Sequence, residues 1–180
     1  LTRAPVSDAE LAGLWASAFL LRLVLWLSLI PLYLLARDLY GRECALVALA
    51  LAALIPSLHL FGPYMDQTLV CFAAWAVYAW HRAMLRKRIG WALLAGAAGL
   101  AGMLWSLSLL LAAALMGLAT AISLWRERCA EGRIAWRPWA RIIFAGAAAF
   151  LALSLLPMIL FDYDTWSVWR VCLTQHATFS

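Results

Sequence analysis

The sequence predicts an all-α fold, a polytopic bundle of about six membrane segments, because of its composition and the length of its apolar runs. Of its 180 residues 67% are hydrophobic and only 13% are charged. Soluble domains have about 45–50% apolar and about 25% charged residues. Runs longer than about 18 apolar residues can cross about 30 Å of hydrocarbon. The membrane is therefore the solvent of this chain.

Five apolar stretches can be drawn: Leu11 to Ala36, Cys44 to Phe61, Thr68 to Met84, Trp91 to Trp125, and Ile142 to Phe161. The fourth has 35 residues and would form a helix of about 52 Å, which is too long for one tilted span. The polar interruption Trp105-Ser-Leu-Ser108 lies near its middle. Two short spans and a hairpin that dips into the membrane are both compatible with this pattern.

The basic residues decide between one and two crossings of the fourth stretch. Eleven of them flank the predicted spans: Arg37, Arg42, Arg82, Arg86, Lys87, Arg88, Arg126, Arg128, Arg133, Arg137 and Arg141. Two crossings place all eleven on one side, whereas one crossing divides them, which the positive-inside rule disfavours. We therefore predict six segments with both termini outside, in one transmembrane domain over residues 1–180.

Small and aromatic residues predict how the segments pack and where they end. The run Ala95 to Gly102 has small residues at i+3 and i+4, which lets a neighbouring helix approach closely. Trp and Tyr gather near the predicted span ends, as in an aromatic belt: Tyr40, Trp91, Trp125, Trp136, Trp139, Tyr163, Trp166 and Trp169. The four cysteines lie in separate segments without CxxC spacing, which indicates neither disulfides nor a metal site.

The outer turn between the second and third stretches is the first candidate site. Gly62 and Pro63 break the chain there, and Asp66 precedes the next helix, where its carboxylate can cap free N–H groups. The alternative is a polar cavity at the membrane edge that binds a substrate or a divalent metal. Its candidate residues are His59, Tyr64, Asp66 and Gln67.

Two further places could bind a substrate. Arg22 interrupts the first stretch, where it either snorkels to the interface or pairs with a phosphate or carboxylate. The segment Asp162-Tyr-Asp164 either starts an amphipathic surface helix, with Asp164 or Thr165 as N-cap, or forms a metal-binding DxD motif. His176 in that helix is a candidate ligand or base, or a solvated histidine.

A familiar order of features follows from these stretches: the block Pro31-Leu-Tyr-Leu-Leu-Ala-Arg37-Asp-Leu-Tyr-Gly41-Arg42, an Ala/Leu-rich helix to Pro56, an outer turn ending in Asp66, a helix closing at Arg82-Ala-Met, and Trp91-Ala-Leu-Leu-Ala-Gly96. Over Leu11 to Leu160 this order resembles the GT-C superfamily. Within it, the chain is most similar to the branch of the protein O-mannosyltransferases and the lipid A aminoarabinose transferase.

The resemblance implies a membrane enzyme that moves a sugar from a polyprenyl-phosphate carrier to a lipid, glycan or protein acceptor on the outer face. It implies an inverting displacement in which an Asp acts as general base on the acceptor hydroxyl. Asp66 matches the acidic residue at the outer end of this helix pair. The main acidic residue of the family lies in an earlier outer loop. We therefore expect a fragment, inactive alone, that lacks that loop with its span and a C-terminal part.

Two other functions stay open at this point. One is a transporter or flippase of a lipid-linked glycan, although transporters often show repeats and broken helices at the midplane. The other is a structural membrane subunit. The Arg-rich, Asn-free composition predicts a bacterial source, and so a cytoplasmic membrane with a periplasmic or extracellular active face. The basic loops predict contact with membrane lipids, and nucleic acid is not needed to explain them.

Overall fold

The computed structural model describes residues 8–55, 66–105, 109–162 and 164–178. These ranges contain helices and no strand, which confirms the all-α fold class. In chain order the helices are α1 (Asp8–Leu27), α2 (Leu29–Tyr40), α3 (Arg42–Ala53), α4 (Asp66–Arg86), α5 (Ile89–Trp105), α6 (Leu110–Glu131), α7 (Trp136–Phe161) and α8 (Thr165–Thr178).

Three helical stretches of the described chain are long and apolar enough to cross a membrane: Glu10–Tyr40, Leu110–Ala130 and Trp136–Pro157. Ile89–Leu104 is apolar but shorter. Large apolar side chains cover the outside of these helices, and Phe144, for example, is 78% exposed. Such a surface is stable when lipid covers it. The number of six membrane segments stays a prediction.

The first predicted span is interrupted at Ser28, between α1 and α2. Pro31 has no N–H to donate to Leu27, and a proline ring clashes with the carbonyl four residues earlier. The chain tightens there, so that the backbone N–H of Ser28 donates to the Leu25 carbonyl at 3.0 Å. The buried Ser28 hydroxyl donates to the same carbonyl at 2.5 Å. The break is therefore local, and α2 continues directly from α1.

Gly41 joins α2 to α3 as a single linking residue. Its φ of +87° is a conformation that glycine adopts without the steric cost of a Cβ. Its N–H donates to the Arg37 carbonyl, and its carbonyl accepts from Ala45 N–H, both at 3.1 Å. The described helix then ends at Ala53, before Pro56. The part of the predicted second span after Ile55 lies outside the described residues.

The predicted fourth stretch consists of two helices, α5 and α6. Leu109 is the N-cap residue of α6. Trp80 of α4 donates an indole hydrogen bond to Thr120 of α6 at 2.8 Å, while Gly102 at the far end of α5 lies against Phe72 of α4. Helix α5 therefore runs opposite to α4, as a double crossing of the fourth stretch requires.

Close packing of α5 against α7 confirms the role predicted for the small-residue run. A Cβ on Gly96 would overlap the carbonyl oxygen of Gly146 and come within 3.0 Å of Ala149 Cβ. Gly146 in turn lies beside the Trp80 ring, because a Cβ there would come within 2.9 Å of its Cζ3 atom. The glycines let α4, α5 and α7 meet at one point.

Substitution of Gly96 by Ala should destabilise the protein by about 1–3 kcal/mol, because the added methyl overpacks a backbone contact. Gly99 is the matched control, since a Cβ there meets nothing within 4 Å. Gly99→Ala should be neutral, or stabilise by up to about 1 kcal/mol through helix propensity. Thermal unfolding in detergent measures both, and equal midpoints for the two variants would contradict the contact.

Candidate functional site

The structure describes some of the sequence-predicted site residues. His59 and Tyr64 lie outside the described residues. Asp66 and Gln67 are the first two residues of α4, and His176 belongs to α8; the described part of the chain does not include their side chains. The structure therefore places the backbone of Asp66 at a helix start, and its role stays a prediction.

Arg22 lies within α1 and is partly buried. Within the described ranges the one ion pair joins Arg82 to Asp38, so Arg22 has no carboxylate partner there. A guanidinium in this position is suited to a phosphate. Its substrate-binding role stays a prediction.

The opposite end of the helices holds a cluster of charged and aromatic side chains. Arg82 of α4 donates to Asp38 of α2 at 2.8 Å, and the two side chains are only 14% and 13% exposed. The Arg82 guanidinium also lies 5.9 Å from the Tyr78 ring and 5.8 Å from the Trp91 ring. Breaking a well-shielded pair leaves a charge without a partner, which can cost several kcal/mol. The pair thus fixes α2 against α4.

A second set of contacts joins the loop after α4 to α6 and α7. The indole N–H of Trp139 donates to the Glu127 carboxylate, and Lys87 Nζ lies 3.1 Å from the Trp139 ring centroid. Burial lowers the pKa of Lys87, while the Glu127 charge acts in the opposite direction. These contacts bring the ends of α2, α4 and α6 and the start of α7 together. We term this the basic end, because it holds the eleven flanking Lys and Arg residues.

A half-open cavity of about 520 Å³ lies at the basic end, between α2, α4, α6 and α7. Its polar lining consists of Asp38, His81, Ser123 and Arg126, and its other walls are apolar or aromatic. We term it the basic-end cavity. Nε2 of His81 is buried and has no hydrogen-bond partner. Nε of Arg82 is buried and unpaired in the same way, and an unpaired buried polar atom costs about 1–3 kcal/mol.

The chain matches the family described as dolichyl-phosphate-mannose-protein mannosyltransferase over residues 10–153. It belongs to this mannosyltransferase family. The family consists of membrane glycosyltransferases that use polyprenyl-phosphate-linked sugars, and the GT-C resemblance is thereby confirmed. With its apolar helices, the chain is an integral membrane protein. It matches no curated protein and no solved structure.

The basic end of this mannosyltransferase-family chain is the part that sequence reasoning missed. The sequence predicts only a topology role for Arg82 and Arg126, and His81 is not among its candidate site residues. One signal was present, because Asp38 and Arg82 are opposite charges at the ends of two predicted spans. Trp139 also differs from expectation, since it is 3% exposed and bonds to Glu127, whereas Trp125 and Trp136 are exposed as an aromatic belt requires.

Asp164 caps α8, as the surface-helix interpretation predicts. Its Oδ1 accepts from the backbone N–H groups of Trp166 at 3.0 Å and Ser167 at 3.1 Å. The bond from Ser167, followed by other hydrogen bonds, lowers the pKa of Asp164. Among the described residues no group of three or more His, Cys, Asp or Glu could hold a metal. The capping geometry supports the helix-start interpretation of the Asp162-Tyr-Asp164 segment.

Substitution of Asp164 by Ala should expose the first amides of α8. Because the pKa is lowered on folding, the cap is complete above the ordinary Asp pKa of about 3.9 and is lost as the pH falls through the lower folded value. Hydrogen exchange at Trp166 and Ser167, corrected for intrinsic rates, should be roughly fivefold faster in Asp164→Ala at pH 7. Asp162→Asn is the control, and equal protection in both variants would refute the cap.

Proposed function

We propose that this chain is the membrane portion of a glycosyltransferase that moves a sugar from a polyprenyl-phosphate carrier to an acceptor on the outer face of a bacterial cytoplasmic membrane. The observation that carries the proposal is the family match, which spans α1 to most of α7. A protein or glycan is the acceptor class that the family implies.

The arrangement of charge supports the proposed sidedness. Lys and Arg concentrate on the cytoplasmic side of membrane proteins, and the basic end holds Arg82, Arg86 and the ends of α2 and α6. Asp66 starts α4, and Arg86 ends it. A helix of 21 residues spans about 31 Å, which matches the hydrocarbon thickness of about 30 Å, so α4 is proposed to cross it with its two ends on opposite sides. Asp66 is therefore proposed to face the outside.

The proposed chemistry is a single displacement at the anomeric carbon of the sugar. The acceptor hydroxyl oxygen forms the new bond, the bond to the lipid phosphate breaks, and a carboxylate takes the hydroxyl proton. Asp66 is our candidate carboxylate, or else a contact to the sugar or a metal. Arg22 is our candidate for the departing phosphate, because a guanidinium matches phosphate oxygens bidentately. His59, Tyr64, Gln67 and His176 are proposed substrate contacts.

Substitution of Asp66 in the full-length protein tests this role. Asp66→Ala removes both a cap and a carboxylate, whereas Asp66→Asn removes only the charge, because Asn caps a helix as well as Asp does. If the carboxylate acts in the reaction, both variants should lose roughly 10²-fold or more in transfer rate. The measurement is sugar transfer from a polyprenyl-phosphate donor in proteoliposomes.

The Asp66→Asn variant also separates the alternatives. If Asp66→Asn transfers sugar at the wild-type rate while Asp66→Ala loses transfer, Asp66 acts only as a helix cap. If the protein moves the lipid-linked glycan across the vesicle membrane and transfers no sugar, the chain is a flippase and not a glycosyltransferase. Thermal midpoints of both variants, measured beside the assay, show whether a loss of transfer comes from unfolding.

Native cysteines test the proposed orientation of the chain. Cys129 at the end of α6 is an exposed free thiol at the basic end, and Cys172 belongs to α8 on the proposed outer side. In proteins that retain only one of them, a membrane-impermeant maleimide should label Cys172 in intact spheroplasts and Cys129 only in inverted vesicles. Labelling of Cys129 in spheroplasts would place the basic end outside and contradict the orientation.

A further inference from the structure

The basic-end cavity is large enough and polar enough to hold a ligand. Its volume of about 520 Å³ falls within the roughly 300–1,000 Å³ of small-molecule sites. Elements distant in sequence build it, since α2 contributes Asp38, α4 contributes His81 and α6 contributes Ser123 and Arg126. The cavity therefore forms only when these helices pack against one another.

The charges around the cavity favour an anion. The one carboxylate among its lining residues, Asp38, already accepts a 2.8 Å hydrogen bond from Arg82. The nearby Glu127 accepts a hydrogen bond from Trp139. Arg126 thus lines the cavity as a cation, and a guanidinium binds phosphate oxygens through charge-assisted hydrogen bonds.

His81 provides a second polar contact for such an anion. Its Nε2 atom is buried without a hydrogen-bond partner, and its ring lines the cavity. The hydroxyl of Ser123, in contrast, already donates to the Ala119 carbonyl at 2.8 Å. An imidazole N–H can donate a hydrogen bond to a phosphate oxygen, so the His81 ring is the second polar group that a phosphate in the cavity can contact.

The remaining walls indicate that the anion belongs to an amphiphile. Leu39, Leu85 and Ile122 line the cavity beside the polar groups, and it lies where the apolar helices end and the basic loops begin. Lipid headgroups occupy this depth of a bilayer, and basic pockets between helices are known to bind them. A small soluble anion would use only the polar half of the cavity.

We propose that the basic-end cavity binds the phosphate group of an anionic membrane phospholipid, with Arg126 as its charge partner and His81 as its hydrogen-bond donor. The glycerol and the first acyl carbons lie against the apolar wall. The site is distinct from the proposed transfer site at Asp66, and lipid binding there does not depend on sugar transfer.

The test measures binding of short-chain phosphatidylglycerol to the full-length protein in a neutral detergent, by native mass spectrometry. Phosphatidylcholine serves as the zwitterionic comparison, and inorganic phosphate as the soluble one. Wild-type protein should bind phosphatidylglycerol saturably and more tightly than either. Arg126→Ala and His81→Ala should each weaken this binding about tenfold or more, as the loss of a hydrogen bond to a charged group predicts.

Arg133→Ala is the matched control, because Arg133 is an exposed loop arginine outside the cavity lining and its loss removes the same charge. It should change the affinity less than about twofold. His81→Gln keeps a hydrogen-bond donor and should retain most of the phosphatidylglycerol binding. This variant tests the hydrogen bond even if His81→Ala unfolds. Thermal midpoints without lipid establish that each variant is folded.

Three results would overturn the proposal. Equal weakening by Arg133→Ala and Arg126→Ala would mean diffuse attraction to the basic loops. Equal affinity for phosphatidylglycerol and phosphatidylcholine would remove the requirement for an anionic headgroup. Inorganic phosphate that binds as tightly as phosphatidylglycerol, with the same loss in Arg126→Ala, would identify free phosphate as the ligand.

Discussion

The exclusion of charge from hydrocarbon is the constraint on which the described structure depends. Ionisable side chains inside a bilayer are costly, and the described chain keeps its ion pair, its Lys87 and its carboxylates at helix ends. Arg22 is the exception within an apolar helix, and a phosphate is its proposed partner. Once charge is confined to the ends, the direction of each helix follows from the order of basic loops.

The confinement of charged side chains to the basic end also explains the contacts that form there. With lipid around the apolar faces, burial of apolar surface gives little preference for one helix neighbour over another. Polar contacts supply the preference instead: Arg82 to Asp38 selects α2 beside α4, and Trp80 to Thr120 selects α6 beside α4. The backbone contact between Gly96 and Gly146 selects α7 beside α5. A few specific contacts therefore determine the arrangement of a largely uniform apolar surface.

Features encoded within a few residues were predictable from the sequence. The α8 start at Asp164 and the close approach at the small-residue run depend on local residue chemistry. The division of the fourth stretch into α5 and α6 needed the distribution of basic residues as well as the local polar interruption. The Asp38 and Arg82 pair could not be derived in this way, because it joins residues 44 positions apart. The inward position of Trp139 is similar, since a Trp near a span end fits lipid or protein equally well until Glu127 is known to face it.

The geometry of α4 relates the two proposed sites to each other. Asp66 begins this helix, and His81 and Arg82 lie in its last turns, about 22 Å further along the axis at 1.5 Å per residue. The phosphate of a phospholipid in the basic-end cavity therefore cannot touch a sugar held near Asp66. Any influence between the sites would have to act through the position of α4, which Arg82 holds against α2. Because lipid binding and sugar transfer use different residues at different ends, the loss of one in a folded variant leaves the other measurable.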